Sequence, residues 1–461
     1  MFFEKPLLGK VYEDDCFLTS GMLYENSGRV LLELHNEGAN PESDYFRQLA
    51  PGSAVKQADG SVALSSARMK SSPKIMSFYA GPKEQSCLLL DCRLVSTDFT
   101  LGGGPYNFRR VVEVGRLVQM SDTTLRSFGS KYSEINRMRA TIPALNSWLG
   151  ESLMFCWIPF DNKNSTNASI AYGLRKEHSI RLGWVGDNQQ FAANLKVVGS
   201  TTSKANGTRA SLYSDTIFST YSQKRLNIDE HIRVHLQLLG LLEIAYGHKL
   251  SVESIEVTRN DDKPYPKKMT VFRNLLTPEI AVASPKDVQN THRRDPVFNF
   301  SDIREDGIKL WFELIGKCPT GIQACVRLFE NEKYLPLESQ FLLVGVAIEH
   351  LGYTLMGKDD HFRPQIRAIL NCLSPLLVHE HVDEWVDGVA KSYNGIKHFH
   401  QASKKPESLE MVEYLMEAKL LLRLLIAQLV GCDITVLEQY VHVHPLLITN
   451  TQPLFREHVG S

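Results

Sequence analysis

The chain has 461 residues, room for two to four domains at about 100–200 residues each, and its 43 % hydrophobic and 22 % charged content is that of an ordinary globular protein. The formal net charge of −1 excludes a chain that holds polyanions by bulk charge. From residue 300 onward there are 15 Lys and Arg against 21 Asp and Glu, a net of −6, which leaves 36 against 31, a net of +5, before it. Any contact with nucleic acid is therefore expected to be local, dimer-formed or weak.

From Leu8 to about Ser147 the pattern is one of short strands and turns. Phe17–Tyr24 and Val30–His35 flank Glu25-Asn26-Ser27-Gly28-Arg29, and the alternation of Leu23, Val30, Leu32 and Leu34 predicts a hairpin with one buried face. Lys74–Ala80, Ser86–Thr97 and Arg110–Met120 read as further strands, and Asn40–Ser72 as a polar excursion with room for one short hairpin. Leu101-Gly102-Gly103-Gly104-Pro105 is a glycine-rich strand connection rather than a phosphate loop. It lacks the Gly-Lys-Ser/Thr ending, and Pro105 removes an amide that such a loop would use.

Ile135–Trp148 mixes a strand with a short helix anchored by Leu145, Trp148 and Leu149. Strand-length runs follow at Ser152–Pro159, Ile170–Arg175, Ser179–Trp184, Ala192–Val198, Arg209–Phe218 and Met269–Arg273. One helix interrupts them, from Asn227 to Tyr246, apolar almost all round and so expected to be buried. His231 and His235 have the i, i+4 spacing of metal ligands, but the Glu of a zinc-protease helix is missing, and no metal site is assigned. Asn164-Ser165-Thr166 and Asn206-Gly207-Thr208 match glycosylation acceptors and carry no weight without a signal peptide.

Pro285–Pro296 is polar, charged and bracketed by prolines, the best linker in the chain. Beyond it the periodicity turns helical: Gly307–Lys317, Gly321–Glu330, Leu337–Met356, Arg363–Leu377, His379–Phe399 and Ser408–Val430, with Ser408 placed as an N-cap. His442 and His444 alternate with valines, the pattern of a strand or an extended tail. The fold class is thus α+β and multidomain. A β-rich region with sandwich-like sheets and a buried helix spans 1–284, with a division near 150 left open. A linker follows at 285–299 and an all-α bundle at 300–461.

The eight cysteines include no Cys-x-x-Cys pair and sit mostly among apolar neighbours, as buried thiols of a reducing compartment do. The opening Met-Phe-Phe-Glu-Lys-Pro lacks a basic start and an apolar core, and Ala418–Val430 is too short to span a bilayer. A cytoplasmic protein with no membrane partner and no cofactor is expected.

Chemistry concentrates in Ala390–His400. If the preceding amphipathic run continues as a helix, Lys391, Asn394 and His398 fall at i, i+3 and i+7 on one face. An ammonium, an amide and an imidazole on one face can handle a phosphodiester; the plainer alternative makes Asn394-Gly395 a turn and the histidines ordinary surface groups.

Tyr393-Asn394-x3-His398, with the long apolar helix around Phe341–Leu351 carrying Glu349, resembles the HEPN fold, the higher-eukaryote-and-prokaryote nucleotide-binding helical domain. The N-terminal region resembles that of ApeA-type anti-phage defence proteins, on Gly21-x-Leu23-Tyr24 with Val30–Leu34, on Cys87–Cys92 and on Asn146–Leu149. Together the resemblances imply an N-terminal domain that senses infection. They also imply a helical homodimer acting as a metal-independent endoribonuclease on RNA, tRNA among the candidates, in abortive infection. In that reading His398 is the general base or acid, Lys391 stabilises charge on phosphorane oxygens, Asn394 binds a non-bridging oxygen or fixes the imidazole, Tyr393 stacks on a base or donates its hydroxyl, and Glu349 is the embedded acid. The family's Arg falls where this chain has Lys391, Ser392 and Tyr393, and an ammonium cannot bind phosphate bidentately. The alternative is a catalytically degenerate bundle used for dimerisation and RNA or nucleotide binding.

Overall fold

The computed structural model describes residues 5–13, 16–34, 52–56, 62–65, 74–80, 86–100, 107–150, 154–157, 171–174, 176–186, 190–203, 210–263, 270–282, 295–358, 360–377, 379–398, 405–443 and 454. In chain order the elements are β1 (Leu7–Glu13), β2 (Cys16–Asn26), β3 (Arg29–Leu34), β4 (Gly52–Lys56), β5 (Val62–Ser65), β6 (Lys74–Ala80), β7 (Ser86–Thr100), β8 (Asn107–Val114), β9 (Arg116–Met120), α1 (Asp122–Phe128), β10 (Glu134–Thr141) and α2 (Ala144–Leu149). Then come β11 (Met154–Trp157), β12 (Ala171–Leu174), β13 (His178–Val185), β14 (Phe191–Ser203), β15 (Ala210–Asn227), α3 (Ile228–Tyr246), β16 (Ser254–Thr258) and β17 (Arg273–Leu276). Seven helices follow: α4 (Phe300–Lys317), α5 (Pro319–Glu330), α6 (Leu337–Met356), α7 (Phe362–Cys372), α8 (Val382–Lys397), α9 (Ser408–Leu429) and α10 (Ile434–Val443). The class is α+β, with a β-rich N-terminal region followed by a helical one.

The chain groups into two compact units, one of Met1–Ala140, Ser222–Ile232 and Ser254–Ser284, the other of Thr141–Tyr221, Arg233–Glu253 and Pro285–Ser461. In the first, the strands expected to form sandwich-like sheets close into a barrel in the order β1-β2-β3-β8-β7-β6, with β6 pairing back to β1. Alternate residues turn inward, as the pleat requires, and Val11, Leu18, Leu23, Leu32, Phe78, Leu89 and Val112 fill the core at 0–1 % exposure. The β2–β3 hairpin turns on Ser27 and Gly28, both at positive φ (52° and 76°), the geometry of a two-residue turn that matches strand twist.

A kink in β7 explains why the barrel does not absorb every strand. The first half of β7 pairs with β9 and the second half with β8, both antiparallel and in one continuous register across Leu90↔Arg116 and Arg93↔Glu113. Asp91 sits between them at φ 55°, in the left-handed region that a non-glycine residue rarely adopts. A Cβ on the facing Gly115 would lie 2.7 Å from the Asp91 Cβ, so only glycine lets the two strands bend there together. Beyond the kink β9 leads outward to β17, β16 and β10.

The second unit holds β13, β14 and most of β15 as a meander, the pair β11–β12, α2, most of α3 and the helices α4 to α10. Trp148 of α2 packs edge-on to Phe298 and Phe300, with ring centroids 6.4 and 5.5 Å away. In α6, Phe341, Val344, Ala347, Ile348 and Leu351 follow the helical period and are wholly buried. In α9, the run Leu420–Ala427 is buried throughout, and it carries Arg423 inward. Arg423 donates to the carbonyls of Ile244 (3.0 Å) and Ala245 (2.6 Å) at the end of α3, where a cation offsets the helix dipole.

The periodic helices match the sequence closely, and Lys74–Ala80 and Leu337–Met356 agree to the residue. Three local expectations are corrected. His442 lies on helix α10, which buries Leu437 and Val441 one turn apart. Ser408 is the first helical residue, with Glu407 at the N-cap. The strand expected at Met269–Arg273 runs instead over Arg273–Leu276. Strand β16 and helix α1 had no clear pattern in the sequence. The Gly102–Gly104 connection, both Asn-x-Thr-type acceptors, His444 and residues 285–294 of the linker lie outside the described residues, whereas Val297 and Phe298 are buried. Among the described residues no helix is long and apolar enough to cross a membrane.

Candidate functional site

Helix α8 is built for its place. Asp383 and Glu384 lie in its first turn and Lys397 in its last, each favourable with the helix dipole. Trp385, Val386, Val389, Ala390 and Tyr393 form its buried face. Gly388 leaves room for the ring of Tyr414, which would be 2.2 Å from a Cβ there. The helix runs through Asn394-Gly395, so the turn alternative is not what the chain adopts.

Tyr393 is 2 % exposed. Its ring lies over the backbone of α6 at Gly345, where an added Cβ would come within 2.1 Å, and beside Phe362 at a centroid distance of 4.6 Å. Stacking on an incoming base is therefore closed to it. Its hydroxyl donates to Glu349 Oε2 at 3.0 Å. Lys397, one turn further along α8, donates to Glu349 Oε1 at 2.9 Å, and its ammonium lies 4.9 Å from the centre of the Tyr393 ring. Burial pushes the Tyr393 phenol up; the Lys397 hydrogen bond opposes this and the Glu349 charge adds to it. The hydrogen bond to Glu349 raises Lys397, which stays an ammonium at neutral pH.

The other predicted residues separate into two groups. Lys391 is exposed, one turn beyond Asp387, which Arg363 of α7 holds at 2.7 Å. Asn394 is half-buried, and its carbonyl accepts the backbone N–H of His398 at 2.9 Å. His398 is the C-cap, at φ −124° and ψ 112°, so the chain leaves the helix there and the i, i+7 extrapolation no longer fixes its direction. Glu349, Tyr393 and Lys397 thus form one hydrogen-bonded cluster, with His398 the next residue in the chain. Lys397 is assigned no role from the sequence; its i, i+4 spacing from Tyr393 is the signal that could have placed it.

Glu349 also faces a cavity of about 420 Å³, which it lines with His350, Tyr353, Asp360 and Gln365. None of the last three was singled out from the sequence.

Two further clusters complete the inventory. His231 lies 3.4 Å from the Ser222 hydroxyl and is pushed down to about 4 by burial. His235 lies 3.2 Å from Thr220. Among the described residues no group of three or more His, Cys, Asp or Glu could hold a metal ion. In the barrel unit a cavity of about 480 Å³ opens at the β7 kink. Its floor carries Arg116, paired with Asp91 (3.3 Å), Glu279 (2.6 Å) and Asp229. Burial acts to raise the Glu279 carboxyl, but hydrogen bonds from Arg116 and Thr277 outweigh it and hold the group below its ordinary value.

No curated protein and no solved structure matches the chain significantly. Residues 24–311 match the family described as ApeA N-terminal domain 1. The match takes in more than half of the chain, from β2 through most of α4. The chain belongs to the ApeA N-terminal domain family, a membership that points to a role in anti-phage defence.

Proposed function

We propose that the protein is an abortive-infection effector whose helical region cuts RNA without a metal ion and whose β-rich region senses infection. The observation that carries this reading is the Glu349–Tyr393–Lys397 cluster directly before His398. A buried tyrosine and a carboxylate hold an ammonium in place one residue before His398, and an ammonium and an imidazole are the pair of groups that 2′-OH attack on a phosphodiester requires. His398 takes the proton from the ribose 2′-OH or returns one to the leaving 5′-oxygen. Lys397 offsets charge on the phosphorane oxygens. Lys391, exposed on the same helix, adds a second cation, and Asn394 orients a phosphate oxygen or the imidazole. In this assignment Tyr393 and Glu349 are positioning residues, since Tyr393 is buried and both act through Lys397.

RNA, tRNA included, is the substrate class, and a homodimer would bring two such faces together. Sensing is assigned to the barrel unit, whose charged cavity at Arg116 gives a trigger a place to bind. The cytoplasm is the compartment in which such an RNA target would be met.

The test is phage challenge of cells expressing the wild type and His398→Ala at equal levels. Protection should be lost in His398→Ala. Undiminished protection would favour the second reading, a degenerate bundle that dimerises or binds RNA, which the lysine in place of the family's arginine supports.

A further inference from the structure

We infer that the cavity beside Glu349 is a base-recognition pocket that prefers guanine, an inference that rests on the proposed RNA-cleaving role of the same helices. At about 420 Å³ it falls within the range of small-molecule sites, about 300–1,000 Å³.

Its lining is chemically specific. Gln365 is 3 % exposed, and its Oε1 is buried with no hydrogen-bond partner among the described residues. An unpaired buried amide oxygen is costly, and a ligand that donates to it removes that cost. The residue is also held firmly, because its Cβ packs against Gly352, where an added Cβ would lie 2.6 Å away. Asp360 binds the backbone N–H of His361 through Oδ1 at 2.7 Å, and its Oδ2 lies 3.9 Å from Lys358, which leaves lone pairs to accept further hydrogen bonds. Tyr353 is half exposed and brings an aromatic side chain to the cavity lining.

These groups distinguish among bases. RNA readers stack an unpaired base on an aromatic ring and hydrogen-bond its Watson–Crick edge. A carboxamide presents one donor and one acceptor, and a carboxylate presents acceptors only. Guanine offers O6 as acceptor, then N1–H and the N2 amino group as donors. Gln365 can donate to O6 and accept from N1–H while Asp360 accepts from N2. Adenine can satisfy the carboxamide through N6 and N1, but it shows a C2–H where guanine has its amino group, so the carboxylate stays unpaired. Pyrimidines are smaller and lack the paired donors. Glu349 joins the pocket to Lys397, so a guanine bound here would lie next to the proposed cleavage face.

The experiment is calorimetric titration of the full-length protein with guanosine 5′-monophosphate and, separately, adenosine 5′-monophosphate. The guanine nucleotide should bind at least about tenfold more tightly, and Asp360→Asn, which exchanges an acceptor for a mixed group, should erase the difference. Equal affinity for the two in the wild-type protein, or no binding of either, would overturn the inference whatever the variant does. Binding is read without any cleavage. A guanine preference that survives in a protein whose His398→Ala variant cuts RNA normally would uphold the pocket while removing the catalytic reading.

Discussion

The Tyr393 hydroxyl lies 3.0 Å from Glu349 Oε2, and the same carboxylate holds Lys397 at 2.9 Å. A buried phenol thus fixes an acid on α6, and that acid fixes the last lysine of α8. Hydrogen bonds to charged groups contribute roughly 1.5–3 kcal/mol. Tyr393→Phe should lower stability by about that amount in urea denaturation. Gly345→Ala should cost a similar amount, roughly 1–3 kcal/mol for overpacking, because the ring has no space to withdraw. A Tyr393→Phe variant as stable as the wild type would show that the hydroxyl does not hold Glu349.

The kink in β7 yields a second test. Gly115→Ala would force a Cβ to within 2.7 Å of the Asp91 Cβ. The variant should lose roughly 1–3 kcal/mol, and the amides of β8 and β9 should exchange with deuterium faster than those of α6. Unchanged exchange in both strands would mean that the bend does not depend on glycine.

Arg259 is 1 % exposed and donates to the carbonyl of Glu134 (2.7 Å), to the carbonyl of Lys131 and to both Asp261 oxygens (3.0 Å each). Removing one partner from a buried charged network typically costs about 3–5 kcal/mol. The Asp261 side is partly solvated, so Arg259→Met should fall at or below the lower end of that range. Thermal denaturation would read it, and a loss below about 0.5 kcal/mol, the range of ordinary surface substitutions, would contradict the assignment.

Stability should fall with pH on the alkaline side of neutrality. Burial pushes the Glu243 carboxyl up to about 8. Between the unfolded value near 4.3 and about 8, the folded chain keeps a proton that the unfolded chain has released, so this contribution is complete below the window and declines through it. His231, pushed down to about 4, works in the opposite sense: its contribution grows from about pH 4 to about 6.5. The interval from about 6.5 to 8 therefore isolates Glu243. Stability should drop there by no more than about 1.4 kcal/mol per pH unit, and Glu243→Gln should flatten the curve.

Much of this fold was legible because burial follows period. The hairpin around Ser27-Gly28, the buried helix ending at Tyr246 and the helix Leu337–Met356 each carry an apolar pattern that local geometry alone explains. Barrel closure was not legible, since it depends on one aspartate at positive φ facing one glycine 24 positions later. The site divides in the same way. Residues within α8 were accessible through helical spacing, and Glu349 was noticed as an acid on an apolar face. Gln365 and Asp360 reach their cavity only through tertiary packing of α7 against α6, which no local pattern announces.

The proposed function makes His398 the base or acid of attack by the ribose 2′-OH. It is tested most directly by sequencing the 3′ ends of RNA recovered from phage-infected cells that express wild type or His398→Ala at equal levels. Attack by the 2′-OH leaves 2′,3′-cyclic phosphates, and loss of a positioned general base typically lowers rates by about 10²–10⁴-fold. Cyclic-phosphate ends should accumulate with the wild type and fall to the level of cells lacking the protein with His398→Ala; equal accumulation with both would contradict the account.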